Sequence, residues 1–72
     1  SDPYFDGDRA QALLQEAVAT LPEVQRAVFN LRYFDNMKYK EMSQVLQTSE
    51  GALKASYHFA VEKVTHYLQA HQ

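Results

Sequence analysis

Apolar residues recur at helical spacing in four stretches of this chain, and short polar breaks separate them. Ala10, Leu13, Leu14, Ala17 and Val18 mark the first helix, over residues 8–19, with Asp8 as its candidate cap. Thr20-Leu21-Pro22-Glu23 then restarts the chain. Thr20 and Glu23 have capping-box spacing, and Pro22 suits a first helical turn because its missing N–H has no use there. Either Thr20 or Leu21 is the expected cap. The second helix is predicted over residues 22–34, with Val24, Ala27, Val28, Leu31 and Phe34 as its buried stripe, and Asp35-Asn36 breaks it. The third, over residues 39–46, is expected to bury Met42, Val45 and Leu46. The fourth runs from near Ser49 to about Ala70, with Leu53, Tyr57, Ala60, Val61, Val64 and Leu68 on one face. Phe59 falls between that face and the outer one. No strand alternation, internal repeat or low-complexity tract is visible.

The break between the last two helices is Gln47-Thr48-Ser49-Glu50-Gly51. A short amphipathic helix, a turn of about 3–4 residues and a second helix with a polar face predict a helix-turn-helix. Such a unit offers the N-terminal part of its second helix to the DNA major groove. The expected fold is therefore all-α, a small four-helix bundle containing a C-terminal helix-turn-helix. Residues 8–72 form that domain. Residues 1–7 are acidic, aperiodic and contain Pro3 and Gly7, and are expected to be a linker or disordered end.

Composition narrows the function. Seventy-two residues make one domain, and a chain of this size buries only about 60% of its unfolded surface. Five Tyr and four Phe help to supply a packed core, and there is no Cys for a disulfide or a thiolate metal site. No apolar run approaches the roughly 20 residues of a membrane span, and no basic leader is visible. The expectation is a cytoplasmic, monomeric chain without membrane insertion. His58, His66 and His71 are too spread for a metal site. No Gly-rich phosphate loop, paired-carboxylate signature or nucleophile elbow is present, so neither catalysis nor a cofactor is expected.

Charge is unevenly placed. The net charge is −2, made of −3 in residues 1–36 and +1 in residues 37–72. The helix-turn-helix half is the less acidic one, yet a half-domain at +1 makes few phosphate contacts and binds weakly in isolation.

Leu21-Pro22-Glu23-Val24-Gln25-Arg26-Ala27-Val28-Phe29-Asn30-Leu31-Arg32-Tyr33-Phe34 resembles the opening of the C-terminal promoter-binding domain, region four, of bacterial sigma factors. Within the sigma-70 superfamily the likeness is to the extracytoplasmic-function group. Tyr39-Lys40-Glu41-Met42-Ser43-Gln44-Val45-Leu46 and Ser49-Glu50-Gly51-Ala52-Leu53-Lys54 continue it in order and spacing. The resemblance spans roughly residues 8–68. It implies recognition of the upstream (minus-35) promoter element, docking on the β-subunit flap of core RNA polymerase, and masking by an anti-sigma factor. It also implies a further, N-terminal promoter-melting domain that 72 residues cannot hold, so the chain is expected to be one domain of a sigma factor. The chain departs from the family pattern at Gln47, where Gly is common, so its turn works without the tolerance of glycine for positive φ. Ala52, Ala55, Ser56 and Phe59 stand where many members carry Thr, Ser or Arg.

The candidate DNA-binding residues are Tyr39, Lys40, Ser49, Glu50, Gly51, Lys54, Ala55, His58 and Phe59. Ser49 and Glu50 first of all cap and charge the start of a helix. The amides there also suit a DNA phosphate. Lys54 is read as a phosphate or guanine contact rather than a merely solvated lysine. His58 is balanced between surface and base contact. Phe59 is read as an edge packed on another helix, with thymine-methyl contact the sharper alternative. Tyr39 and Lys40 open the third helix, where the family places backbone contacts. Arg26 and Arg32 lie on the second helix, which in the family sits near DNA and polymerase; ion pairs with Asp or Glu are the plainer role, favoured for Arg26. Two other classes remain: the DNA-binding domain of a dimeric response regulator, against which Leu21-Pro22-Glu23 argues, and a protein-interaction domain with vestigial DNA binding.

Overall fold

A computed structural model describes residues 7–71. Four α-helices follow one another: α1 Gly7–Ala19, α2 Glu23–Phe29, α3 Tyr39–Leu46 and α4 Glu50–Ala70, with a π-helical segment, Asn30–Phe34, continuing α2. The all-α expectation holds. The expected linker or disordered end falls on residues 1–6, outside the described residues, apart from Gly7, which already begins α1. Asp8 accordingly lies in the first turn of α1 and is not its cap.

The boundary between α1 and α2 forms differently from the capping box read in the sequence. The N-cap of α2 is Pro22, extended at ψ 155°, with no side-chain cap bond. The Thr20 hydroxyl instead donates backwards to the Ala17 carbonyl at 2.6 Å, closing α1. A hydroxyl can satisfy a last-turn carbonyl as readily as a first-turn amide.

Two buried clusters hold the helices, and α4 belongs to both. Ala17, Val18, Leu21, Phe29, Ala60 and Val64 join α1, α2 and the middle of α4. Val28, Met42 and Leu53 join α2, α3 and the start of α4. Tyr57 packs against each cluster.

Four residues expected inside lie outside. Val24 is 63% exposed and Val45 62%. Val24 shares the face of Val28 but stands one turn before the cluster that covers it. On α3 the inward face is Tyr39, Met42 and Leu46, and Val45 lies roughly a quarter of a turn away from its centre. Phe34 is 40% exposed because the expected continuous helix to residue 34 widens into the π segment, where the Asp35 amide donates to Asn30 at 3.2 Å. That wider turn breaks the 3.6-residue stripe. Val61, 37% exposed, sits at the edge of the inward face of α4.

Candidate nucleic-acid interface

The helix-turn-helix is α3, the link Gln47–Ser49 and the start of α4. Gln47 ends α3 in the left-handed region (φ 52°, ψ 46°), and its amide donates to the Ser43 carbonyl. A turn that glycine often makes is made here by glutamine at the same positive φ. The Thr48 amide also donates to Ser43, at 3.3 Å, and its hydroxyl to Leu46, at 3.0 Å. Two of the last four carbonyls of α3, those of Ser43 and Leu46, are thus satisfied. Ser49, extended at ψ 149°, then caps α4, its hydroxyl accepting from the Ala52 amide at 3.2 Å. The amides of Glu50 and Gly51 remain at the exposed helix start.

Burying Met42 and Leu53 in one cluster fixes the relation of the two helices and turns the opposite side of α4 outward. Gly51, Ala52, Lys54, Ala55, His58 and Phe59 are all exposed there. Ser49 and Glu50 are exposed at its start, and Lys40 on α3. Tyr39 alone among the sequence-predicted residues is half-buried, packed against the Val28–Met42–Leu53 cluster. The predicted set is therefore exposed apart from Tyr39.

Two of its polar members, His58 and Lys54, already have partners within the domain. His58 Nε2 lies 2.9 Å from Glu62 Oε1, one turn on along α4. Phe59 is 52% exposed, outside both core clusters, with its ring 5.7 Å from that of His58. The expected packing of Phe59 on another helix is not made. Lys54 Nζ lies over the Tyr39 ring, 5.6 Å from its centroid. Arg32 Cζ lies over the same ring at 5.1 Å, and Arg32 donates to the Met37 carbonyl at 3.0 Å. Sequence reasoning left Arg32 outside the site. The signal in the sequence was its place on the second helix, which by resemblance sits near DNA and polymerase. Arg26 is exposed and forms no ion pair among the described residues.

A second surface was not foreseen. Phe29 stacks on Tyr33 at 5.0 Å and meets Phe34 edge-on at 6.0 Å. Beside them an open apolar groove of about 240 Å³ runs between Leu14, Tyr33, Tyr57, Val61 and Leu68. Tyr33 is 55% exposed. The π segment creates this surface by turning Tyr33 and Phe34 outward. Among the described residues no helix is long and apolar enough to cross a membrane.

Comparison with known proteins adds a family. A search of curated proteins finds no match. The family model described as "Sigma-70, region 4" matches residues 11–64, which take in most of α1 and the whole helix-turn-helix. Sigma-70 region 4 is a helix-turn-helix domain that binds promoter DNA in sigma factors and works with RNA polymerase. With three-quarters of its length matched and its helix-turn-helix exposed in this way, the chain belongs to the sigma-70 region 4 family.

Proposed function

We propose that this chain is the upstream-promoter reader of an alternative sigma factor of the extracytoplasmic-function type, acting in the cytoplasm to direct transcription initiation. It would be one domain, residues 8–72, of a longer sigma factor. One observation carries the reading: the first turns of α4 expose Gly51, Lys54, Ala55, His58 and Phe59 together, while Leu53 and Ala60 anchor the same helix in the core. That face enters the major groove, and α3 braces the backbone with Lys40. Chemistry is noncovalent throughout.

Roles divide by reach. Lys54 suits a phosphate. His58 and Phe59 suit base edges, Phe59 through thymine methyls. The face has no arginine, so sequence is read more through methyl contacts and DNA shape than through bidentate guanine pairs. Lys54 is the one lysine on that face of α4, and binding by this domain alone is weak with a shallow salt slope.

The test is selection from a randomised duplex pool, followed by titration across salt. Lys54→Ala should weaken binding to every sequence and lower the salt slope by about one counterion. His58→Ala and Phe59→Ala should change which sequences are preferred. If Lys54→Ala alone reshuffles base preference, the roles are misassigned. If no variant alters DNA binding, the protein-interaction reading replaces this one.

The aromatic groove is the seat we assign to the β-subunit flap of core polymerase, because an open apolar surface suits a protein partner. An anti-sigma factor would act by masking either surface. Tyr33→Glu should abolish flap binding and leave DNA binding intact.

A further inference from the structure

The ring of Tyr39, the first residue of α3, is shared by two cations from two other parts of the fold. Arg32 comes from the π segment, with Cζ 5.1 Å from the ring centroid, and Lys54 from the second turn of α4, with Nζ at 5.6 Å. Both distances are within the roughly 6 Å reach of a cation–π attraction. The ring itself is set by the fold, since it packs against the Val28–Met42–Leu53 cluster. Arg32 is held as well, because its Nη1 donates to the Met37 carbonyl at 3.0 Å in the link that leads into α3. Lys54 is the exposed member of the three. A lysine that is free in solution gives up rotamer entropy when it settles on a phosphate. One whose ammonium already rests on a fixed ring gives up less.

We propose that Tyr39 is a positioning residue: it acts on DNA through Lys54, whose ammonium it presets for the backbone, and makes no DNA contact of its own. This rests on the DNA-binding reading above. It predicts that the ring matters and the hydroxyl does not. It also predicts that Tyr39 and Lys54 are energetically one unit, because removing either abolishes the same preset contact.

Two measurements on this chain test it. In the first, a mixed-sequence DNA duplex is titrated at low salt and across a salt series with wild type, Tyr39→Phe, Tyr39→Leu, Lys54→Ala and the Tyr39→Leu/Lys54→Ala double variant. Tyr39→Phe should bind as wild type. Tyr39→Leu should bind about two- to five-fold more weakly, the size of an exposed cation–π contact. Its salt slope should stay at the wild-type value, because the charge of Lys54 is still present. In the Lys54→Ala background the effect of Tyr39→Leu should disappear. In the second, proton NMR of the free chain should find the Lys54 ε-methylene shifted upfield by the ring current in wild type and Tyr39→Phe.

Equal losses from Tyr39→Leu with and without Lys54 would overturn the proposal. So would a loss in Tyr39→Phe as large as in Tyr39→Leu, which would mark a direct hydroxyl contact, or unshifted Lys54 protons in wild type. Should Tyr39→Leu fail to fold, the ring-current shift and the Tyr39→Phe titration decide. If wild type binds no duplex at any salt, the DNA-binding reading falls and the proposal with it. That result is distinct from a wild type that binds and variants that are additive.

Discussion

Met42 of α3 and Leu53 of α4 lie in one buried cluster, at 0% and 1% exposure, on either side of the turn that joins their helices. Val28 of α2 completes it. The angle at which α4 meets a partner is therefore set by three apolar side chains, and the exposed face of α4 owes its direction to them.

Truncating that cluster should unfold the reading head with the rest of the domain. Leu53→Ala and Met42→Ala should each cost about 2–5 kcal/mol, the range for large buried side chains. Val45→Ala, at an exposed position, should stay within about 0.5 kcal/mol. Urea melts followed by circular dichroism give all three. A loss at Val45 as large as that at Leu53 would put α3 in a different rotation.

Gln47 should be improvable. It sits at φ 52°, where an L-residue carries about 1–2 kcal/mol of steric cost. Gln47→Gly removes that cost and gives back part of it as unfolded-state entropy. A net gain of about 0.5–1 kcal/mol in a thermal melt is expected. Gln47→Val, β-branched at the same φ, should destabilise.

Gly51 separates folding from binding. It does not have positive φ, and a Cβ built there meets nothing within 4 Å. Gly51→Ala should therefore stabilise α4, by up to about 1 kcal/mol. The same methyl would stand at the helix start assigned to a phosphate, so duplex affinity should fall while the melting temperature rises. Affinity that rises with stability would move the phosphate elsewhere.

Alkaline pH should find Tyr57. Burial raises its phenol above the usual value of 10.0, neighbouring Tyr39 and Tyr33 add to the rise, and Arg32 opposes it. The folded state thus holds this proton more tightly than the unfolded chain does. Its contribution to stability is complete below about pH 10 and is lost as pH rises through the folded pKa. Tyr57→Phe cannot ionise, so its stability should fall less steeply than that of wild type above about pH 10. Parallel pH profiles would place the alkaline loss on other tyrosines.

The number of helices, the polar break at residues 47–51 and the inward positions Val28, Met42, Leu53, Ala60 and Val64 are all legible in the order of residues. They depend on periodicity and on turn chemistry, which are local properties of a chain. The family is legible for the same reason, since its motifs fall at fixed spacing along the helices. The outward positions Lys54, Ala55 and His58 of α4 followed directly, because a helix anchored on one side must show the other, whereas Phe59 was expected to pack on another helix.

Packing settled what lies further apart. Val24 and Val45 are apolar residues at helical spacing, and whether such a position is covered depends on where the next helix passes. The π turn at Asn30–Phe34 arises because one more residue per turn is accommodated before the chain reaches α3, and no periodic pattern marks it beforehand. Tyr33 and Phe34 face outward as a result, and Tyr33 lines the apolar groove. The meeting of Arg32, Tyr39 and Lys54 belongs to the same class: three residues from three elements share one ring only after two helices and a turn have been set against a common core. Spacing along a chain fixes which side of a helix a residue occupies. Which residues of different helices touch is fixed by the crossing of those helices, and that follows from how the buried side chains fit together.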